Sequence, residues 1–276
     1  MRIQILALIV SFSINLNLIH SQSPINQIGG RAIGVAGTSL TYKDVWAQYH
    51  NQAGLAYLKG MNLGIGFQNA FFVKELSTKS VVFNLPLKTG VFGLNYYYFG
   101  YPKFNENKVG LAFAKALGKR IAVGIQLDYF YTHIDGEYGQ NGIAAGELGI
   151  LAEPIKDLFF GVHLFNIWNA KRSVYEEEYL PTIFKIGASY RLYQIALLSV
   201  EVEKDLELAP IFKTGLEFLV IDNLYFRAGV SSNPNIFSFG LGYTYKPLEI
   251  NIAFSKHPVL DYSPGISIVY SFRERL

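Results

Sequence analysis

The chain has 276 residues, 24 Lys and Arg against 21 Asp and Glu, and no cysteine. That excludes disulfides, thiol catalysis and a lipidated N-terminal cysteine, and basic residues this scattered give nucleic-acid binding no support. Half of the residues are hydrophobic and 16% are charged, against about 25% charged in ordinary soluble domains.

Residues 1–21 read as an export signal: Arg2 supplies a positive start, Ile3 to Val10 an apolar run, and Ser21-Gln22 a small-residue cleavage site. The run is too short for a spanning helix, which needs about 20 apolar residues, and no later stretch is long enough either. Residues 22–59 have a different texture. Gly29-Gly30, Gly34 and Gly37 permit tight backbone packing, and Tyr42 to His50 predicts a short helix.

From residue 60 onward the pattern is period two. In Ile121 to Tyr131, the residues Ile121, Val123, Ile125, Leu127 and Tyr129 point one way, and Ala122, Gly124, Gln126 and Asp128 the other. Phe184 to Leu192, Leu224 to Ser231 and Phe237 to Tyr245 repeat it. Strands are predicted to begin near Met61, Thr78, Gly90, Lys108, Arg120, Gly142, Asp157, Thr182, Gln194, Pro210, Asn223, Asn235, Glu249 and Gly265, fourteen in all. Tight connections at Leu87 to Thr89, Gly118-Lys119, Pro154 to Lys156, Tyr193, Ile221-Asp222 and Lys246 to Leu248 alternate with longer ones. The longer links fall at Gly100 to Asn107, His133 to Asn141, Asn169 to Pro181, Lys204 to Ala209 and Lys256 to Pro264.

Short turns alternating with longer loops are the pattern of an outer-membrane barrel, in which only closure leaves no backbone group unpaired. The fold class read from the chain is therefore all-β, a transmembrane antiparallel barrel of about fourteen strands over residues 60–276. Residues 22–59 form a plug inside it, since a bore of this size is wider than its own side chains fill. Outer-membrane lipid and the assembly machinery are the implied partners, and an even strand number puts both termini in the periplasm. Tyr96, Tyr98, Tyr101, Trp168, Tyr245 and Tyr270 suit interfacial girdles. A soluble all-β barrel with its apolar face inward is the competing architecture. It is disfavoured by the glycine, alanine and charge on the polar phase.

Gly29 to Gly37 (GGRAIGVAG), then Tyr42-Lys43-Asp44-Val45, then Asn51-Gln52-Ala53-Gly54-Leu55-Ala56, resemble the N-terminal signature of the FadL-like outer-membrane superfamily. The likeness is strongest to its PorV/PorQ-like branch from Bacteroidetes. The chain departs from that signature at Gln52, where proline is usual, and at Gly30, where alanine is usual. The resemblance implies a fourteen-stranded barrel and a non-enzymatic accessory or partner-binding component of type IX protein secretion or surface attachment. The alternative it carries is a FadL-like channel for diffusion of small hydrophobic molecules, with the N-terminal segment as gate and a lateral exit to the membrane. The partners are then secretion-system proteins or a small hydrophobic ligand.

Candidate site residues follow from the phase of the strands. Arg31, Asp44, Asn51 and Gly54 are plug or gate candidates. Asp128, Glu147, Lys185, Arg191, Glu201, Glu203, Lys213, Glu217 and Arg227 fall on the lumen phase, either as an electrostatic latch for the plug through Arg31 or Asp44, or as charge pairs filling the bore. Phe99, Phe130, Phe159 and Phe165 share that phase. No cofactor or metal is implied, and no catalytic residue: His50, His133, His163 and His257 lie near no serine-bearing elbow and lack metal-ligand spacing. Gly29 to Gly37 fails as a nucleotide loop because no strand precedes it. Lys171, Arg172 and Glu176 to Glu178 read as a solvated loop, and Phe272, before a four-residue tail, as the aromatic signal that the assembly machinery reads.

Overall fold

A computed structural model describes residues 27–136, 139–171 and 179–272. The export signal, its cleavage site, Arg172, Glu176 to Glu178 and the tail beyond Phe272 lie outside the described residues.

The wall is one closed antiparallel barrel of fourteen strands. Its first half comprises β1 (Asn62–Asn69), β2 (Ser77–Leu87), β3 (Gly90–Tyr101), β4 (Phe104–Ala116), β5 (Ile121–Ile134), β6 (Gln140–Ile155) and β7 (Leu158–Phe165). The second half is β8 (Ile183–Leu192), β9 (Ala196–Asp205), β10 (Ile211–Ile221), β11 (Leu224–Ser231), β12 (Ile236–Tyr245), β13 (Leu248–His257) and β14 (Asp261–Ser271). Each strand pairs with its chain neighbours, and β1 closes on β14 in the register Gly64↔Val269 and Gly66↔Ser267. Closure removes both sheet edges.

Alternation sets which side chains meet which surroundings. Around the outside run Ile65, Leu94, Leu111, Leu127, Ile186, Val200, Leu241 and Ile252, all exposed, a belt that suits acyl chains and not water. Their neighbours in sequence, such as Asn95, Ala112, Asp128, Ser199 and Asn251, point inward and are buried. A soluble barrel would have the opposite arrangement.

The ends differ. At the turn end, where β1 begins and β14 stops, the connections are residues 88–89, 117–120, 156–157, 193–195, 222–223 and 246–247. At the loop end they are 70–76, 102–103, 135–139, 166–182, 206–210, 232–235 and 258–260. The predicted long link at Gly100 to Asn107 is instead a two-residue turn, because β3 and β4 stay paired out to Tyr101↔Phe104. Polar residues there looked like loop, yet they extend the ladder: Tyr96 Oη donates to Asn107 Oδ1 (2.7 Å) and Asn107 Nδ2 to Asn105 Oδ1 (2.8 Å). The links at residues 133–141 and 256–264 shorten for the same reason.

The plug runs back and forth along the bore. From Gln27, beside the loop-end cavity, it descends through the short helix α1 (Gly30–Gly34) to Arg31 near the turn end, then rises to Gly37. It descends again to Asp44, climbs through a 3-10 turn (Val45–Tyr49) to His50, and returns through a second (Gln52–Tyr57) to Gly60, where Asn84 Nδ2 donates to its carbonyl (2.9 Å). The predicted helix over Tyr42 to His50 is thus the shorter 3-10 turn, capped by Asp44 Oδ1 accepting from Trp46 N (2.9 Å). Even strand number places the two ends of the wall together, whereas the described plug starts at the opposite end.

Candidate functional site

The bore is filled by backbone lying on backbone. A Cβ on Gly229 would stand 2.7 Å from Ala36 N, and one on Gly124 would stand 2.5 Å from Ala53 N. The wall carries glycine on its polar phase because only glycine lets the plug approach this closely. Gly54 plays the same part within the plug, where a Cβ would meet the Tyr42 carbonyl and the Ala47 side chain. Asn51 ties plug to wall: its Nδ2 donates to Leu40 O and to Ile150 O (both 3.0 Å), while its Oδ1 accepts from Ala53 N (3.2 Å).

The lumen charges fall into clusters. Near the turn end, Arg31 forks onto Glu217 (2.8 and 2.6 Å) and reaches Asp44 (3.0 Å); Arg227 Nε donates to the same Glu217 (2.6 Å) and its Nη1 to Asn251 Oδ1 (2.7 Å). The sequence suggested Arg31 and Asp44 as a latch. The structure adds Glu217 as the wall anchor on β10. Nearby, Lys43 pairs with Glu153 (3.1 Å).

Further up the bore, Lys108 Nζ meets Asp128 and Glu147 (2.9 Å each) and His163 Nε2 lies 2.8 Å from Glu147. Gln52 of the plug donates to Glu147 as well. Opposite, Lys213 holds Glu203 (2.6 Å) and Glu201 (3.3 Å), Lys185 holds Glu203 (3.2 Å), and Leu40 N donates to Glu201 (3.2 Å). All these wall residues are buried, and charge meets charge as burial requires. Arg191 differs from the other candidates. Half-buried near the turn end, it has no carboxylate within ion-pair reach among the described residues and lies 5.7 Å over the Phe159 ring.

Three partners were missed by the sequence reading: Lys108, Glu153 and Asn251. Lys108 sits in phase with Gly110, Ala112 and Ala114, so extending the β4 alternation one pair upstream would have found it. Of the lumen-phase aromatics, Phe130 packs edge-on against Phe165 (5.9 Å) and Phe159 receives the Lys43 ammonium (4.1 Å). Phe272 continues the seam: its N–H donates to Met61 O (2.9 Å) and its ring packs edge-on against Tyr270 (5.0 Å).

Two larger cavities flank the plug. One of about 240 Å³ lies at the loop end above His50, Lys185, Glu203 and Lys213, walled by Phe71, Phe99 and Ile236. The other, about 200 Å³, lies at the turn end beside Arg31, Arg191 and Arg227. Between them stand the plug and the Arg31–Glu217–Arg227 cluster. All neighbouring strand pairs are hydrogen-bonded, so a lateral exit finds no break in the described strands.

A barrel of this strand number, closed around an N-terminal plug, is similar to several solved outer-membrane proteins. The toluene transporter TbuX of Ralstonia pickettii superposes with a TM-score of 0.70 at 13% identity, covering 91% of this chain and 100% of that one. The fold is FadL-like. The toluene transporter TodX of Pseudomonas putida gives 0.67 at 11% identity over 90% and 99% of the two chains, and a Pseudomonas aeruginosa FadL homologue gives 0.62 at 11% over 90% and 99%. No family model matches the sequence, and no curated protein does either. Identities this low establish the FadL-like architecture and leave the PorV/PorQ-like resemblance resting on the N-terminal residues alone.

Proposed function

We propose that this chain is an outer-membrane channel for small hydrophobic molecules, with the N-terminal segment as its gate and the turn end facing the periplasm. The observation that carries the reading is the loop-end cavity, in which Phe71, Phe99 and Ile236 stand among polar residues and to which the plug contributes Gln27, Gly37 and His50. The plug stands between that cavity and the turn-end one, held by side-chain bonds to the wall and joined to β1 through Gly60. The transport of toluene by the similar TbuX and TodX supports a monoaromatic solute. The test is uptake of labelled toluene by a deletion strain and by the same strain carrying the gene. Uptake should fall on deletion and recover on complementation; equal uptake in all strains overturns the reading.

A second reading, an accessory barrel of type IX secretion, is favoured by a different observation. The plug closes the bore by ion pairs and close backbone contact, and a partner-binding barrel needs no passage. Affinity capture from native membranes that recovers secretion components, with toluene uptake unchanged by deletion, selects it.

A further inference from the structure

His50 is a plug residue that lines the loop-end cavity. Its side chain is 7% exposed, and its Nε2 lies 2.9 Å from the Ile28 carbonyl. A carbonyl only accepts, so Nε2 carries the proton and Nδ1 is left as a lone-pair acceptor. Among the described residues nothing donates to Nδ1. Burial first, and the nearby Lys185 second, hold the imidazole neutral by pulling its pKa down to about 3.

The rest of the cavity floor is charged but balanced. Lys185 and Lys213 face Glu203 and Glu201 at 2.6–3.3 Å, which leaves no net charge to attract an anion. The walls mix polar groups such as Ser231, Asn233 and Ser263 with three large apolar ones: Phe71, held edge-on by His257 at 5.8 Å, Phe99 and Ile236. The volume of about 240 Å³ is below the range of about 300–1,000 Å³ usual for drug-sized ligands, while roughly 150 Å³ suffices for benzene. One ring fits.

We infer that the loop-end cavity binds a neutral single-ring alcohol or phenol, whose hydroxyl donates to His50 Nδ1 while its ring lies against Phe71, Phe99 and Ile236. This deepens the channel reading and rests on it for biological purpose, but the binding itself is independent of transport. A bare hydrocarbon lying over Nδ1 shields that acceptor from water and gives it no donor. A hydroxylated one satisfies it, and a site that spends a buried polar atom on a hydroxyl discriminates against the analogue lacking it.

The test uses three probes of one shape on the purified full-length protein in detergent: p-cresol, its methyl ether p-methylanisole, and toluene, with dissociation constants corrected for detergent partition. p-Cresol should bind about tenfold more tightly than either of the others. Its titration should move the ¹⁵N resonance of His50 Nδ1. His50→Phe, in protein whose heat-modifiable band matches the parent, should abolish the preference for p-cresol over toluene. Equal binding of the three probes by the parent, or a p-cresol titration that leaves the Nδ1 resonance in place, overturns the inference whether or not the variant folds. Selective p-cresol binding without any uptake phenotype defeats only the channel reading; uptake without selectivity defeats only this one.

Discussion

Replacing Arg31 with alanine removes the bridge between plug and wall while leaving the barrel strands intact. Three charge-assisted bonds disappear, two to Glu217 (2.8 and 2.6 Å) and one to Asp44 (3.0 Å). Hydrogen bonds to charged groups contribute about 1.5–3 kcal/mol each, but these three share one guanidinium and do not add. Glu217 keeps Arg227 (2.6 Å) and Asp44 keeps its bond from Trp46 N (2.9 Å), so neither carboxylate is stranded completely. The side chains of Arg31 and Glu217 are only 19% and 9% exposed, so solvent screens the pair little. With both carboxylates still partnered, the loss is that of charge-assisted bonding, about 1.5–3 kcal/mol, below the range of about 3–5 kcal/mol for a buried charge left alone. Local opening of the plug then becomes roughly one to two orders of magnitude more frequent. Hydrogen exchange of the amides from Arg31 to Asp44 reads that opening directly, and single-channel conductance in planar bilayers reads its effect on ion leakage. The Arg31→Ala/Glu217→Ala double variant should show a coupling of about 1–3 kcal/mol. Unchanged protection and conductance in Arg31→Ala, or strictly additive losses in the double variant, would show that these charges merely fill space.

Gly124→Ala places a methyl group 2.5 Å from plug backbone at Ala53 N and Gln52 C, and should cost about 1–3 kcal/mol, read as a lower unfolding temperature of the heat-modifiable band; parental behaviour would remove the close-packing account of the wall glycines. His50 has a folded pKa of about 3 against an unfolded value near 6.5, so the folded ring binds fewer protons between those values. Plug docking is therefore strongest above about pH 6.5 and weakens as pH falls, by up to about 1.4 kcal/mol per unit. Trp46 emission in a Trp168→Phe background should report this between pH 6.5 and 5, and a flat response in that window contradicts it. Deletion from Phe272 onward removes the bond to Met61 O and the ring on Tyr270, and should lower the membrane-inserted fraction in fractionated cells. Normal insertion assigns the assembly signal elsewhere.

The wall was legible because lipid and bore impose opposite demands on successive side chains. In β5 the demand is met without exception from Ile121 to Tyr129, and the burial pattern reproduces it residue by residue. The widest errors in strand starts, Lys108 against Phe104 and Gly265 against Asp261, fall where the ladder continues beyond the apolar belt. Strands are polar on both faces there, and period two loses its contrast. Charged lumen residues were found by phase, but phase does not give partners across the bore. Glu217 was a candidate with no reason to be joined to Arg31, since 186 residues separate them. His50 was set aside for want of a motif. Its surroundings come from β8 and β10, and no local signal could bring those strands beside it.

The wall is uneven in height. β4, β5 and β6 have 13, 14 and 16 residues, whereas β7 and β11 have 8, and a bilayer crossing takes about 9–11. β5 and β6 remain paired from Gln126↔Glu147 out to His133↔Gln140, well beyond the last rung that β6 shares with β7 at Glu147↔Phe165. That surplus raises a parapet on one flank of the mouth. The rim therefore stands higher over β5–β6 than over β7 and β11, an asymmetry that the circular cross-section alone does not reveal.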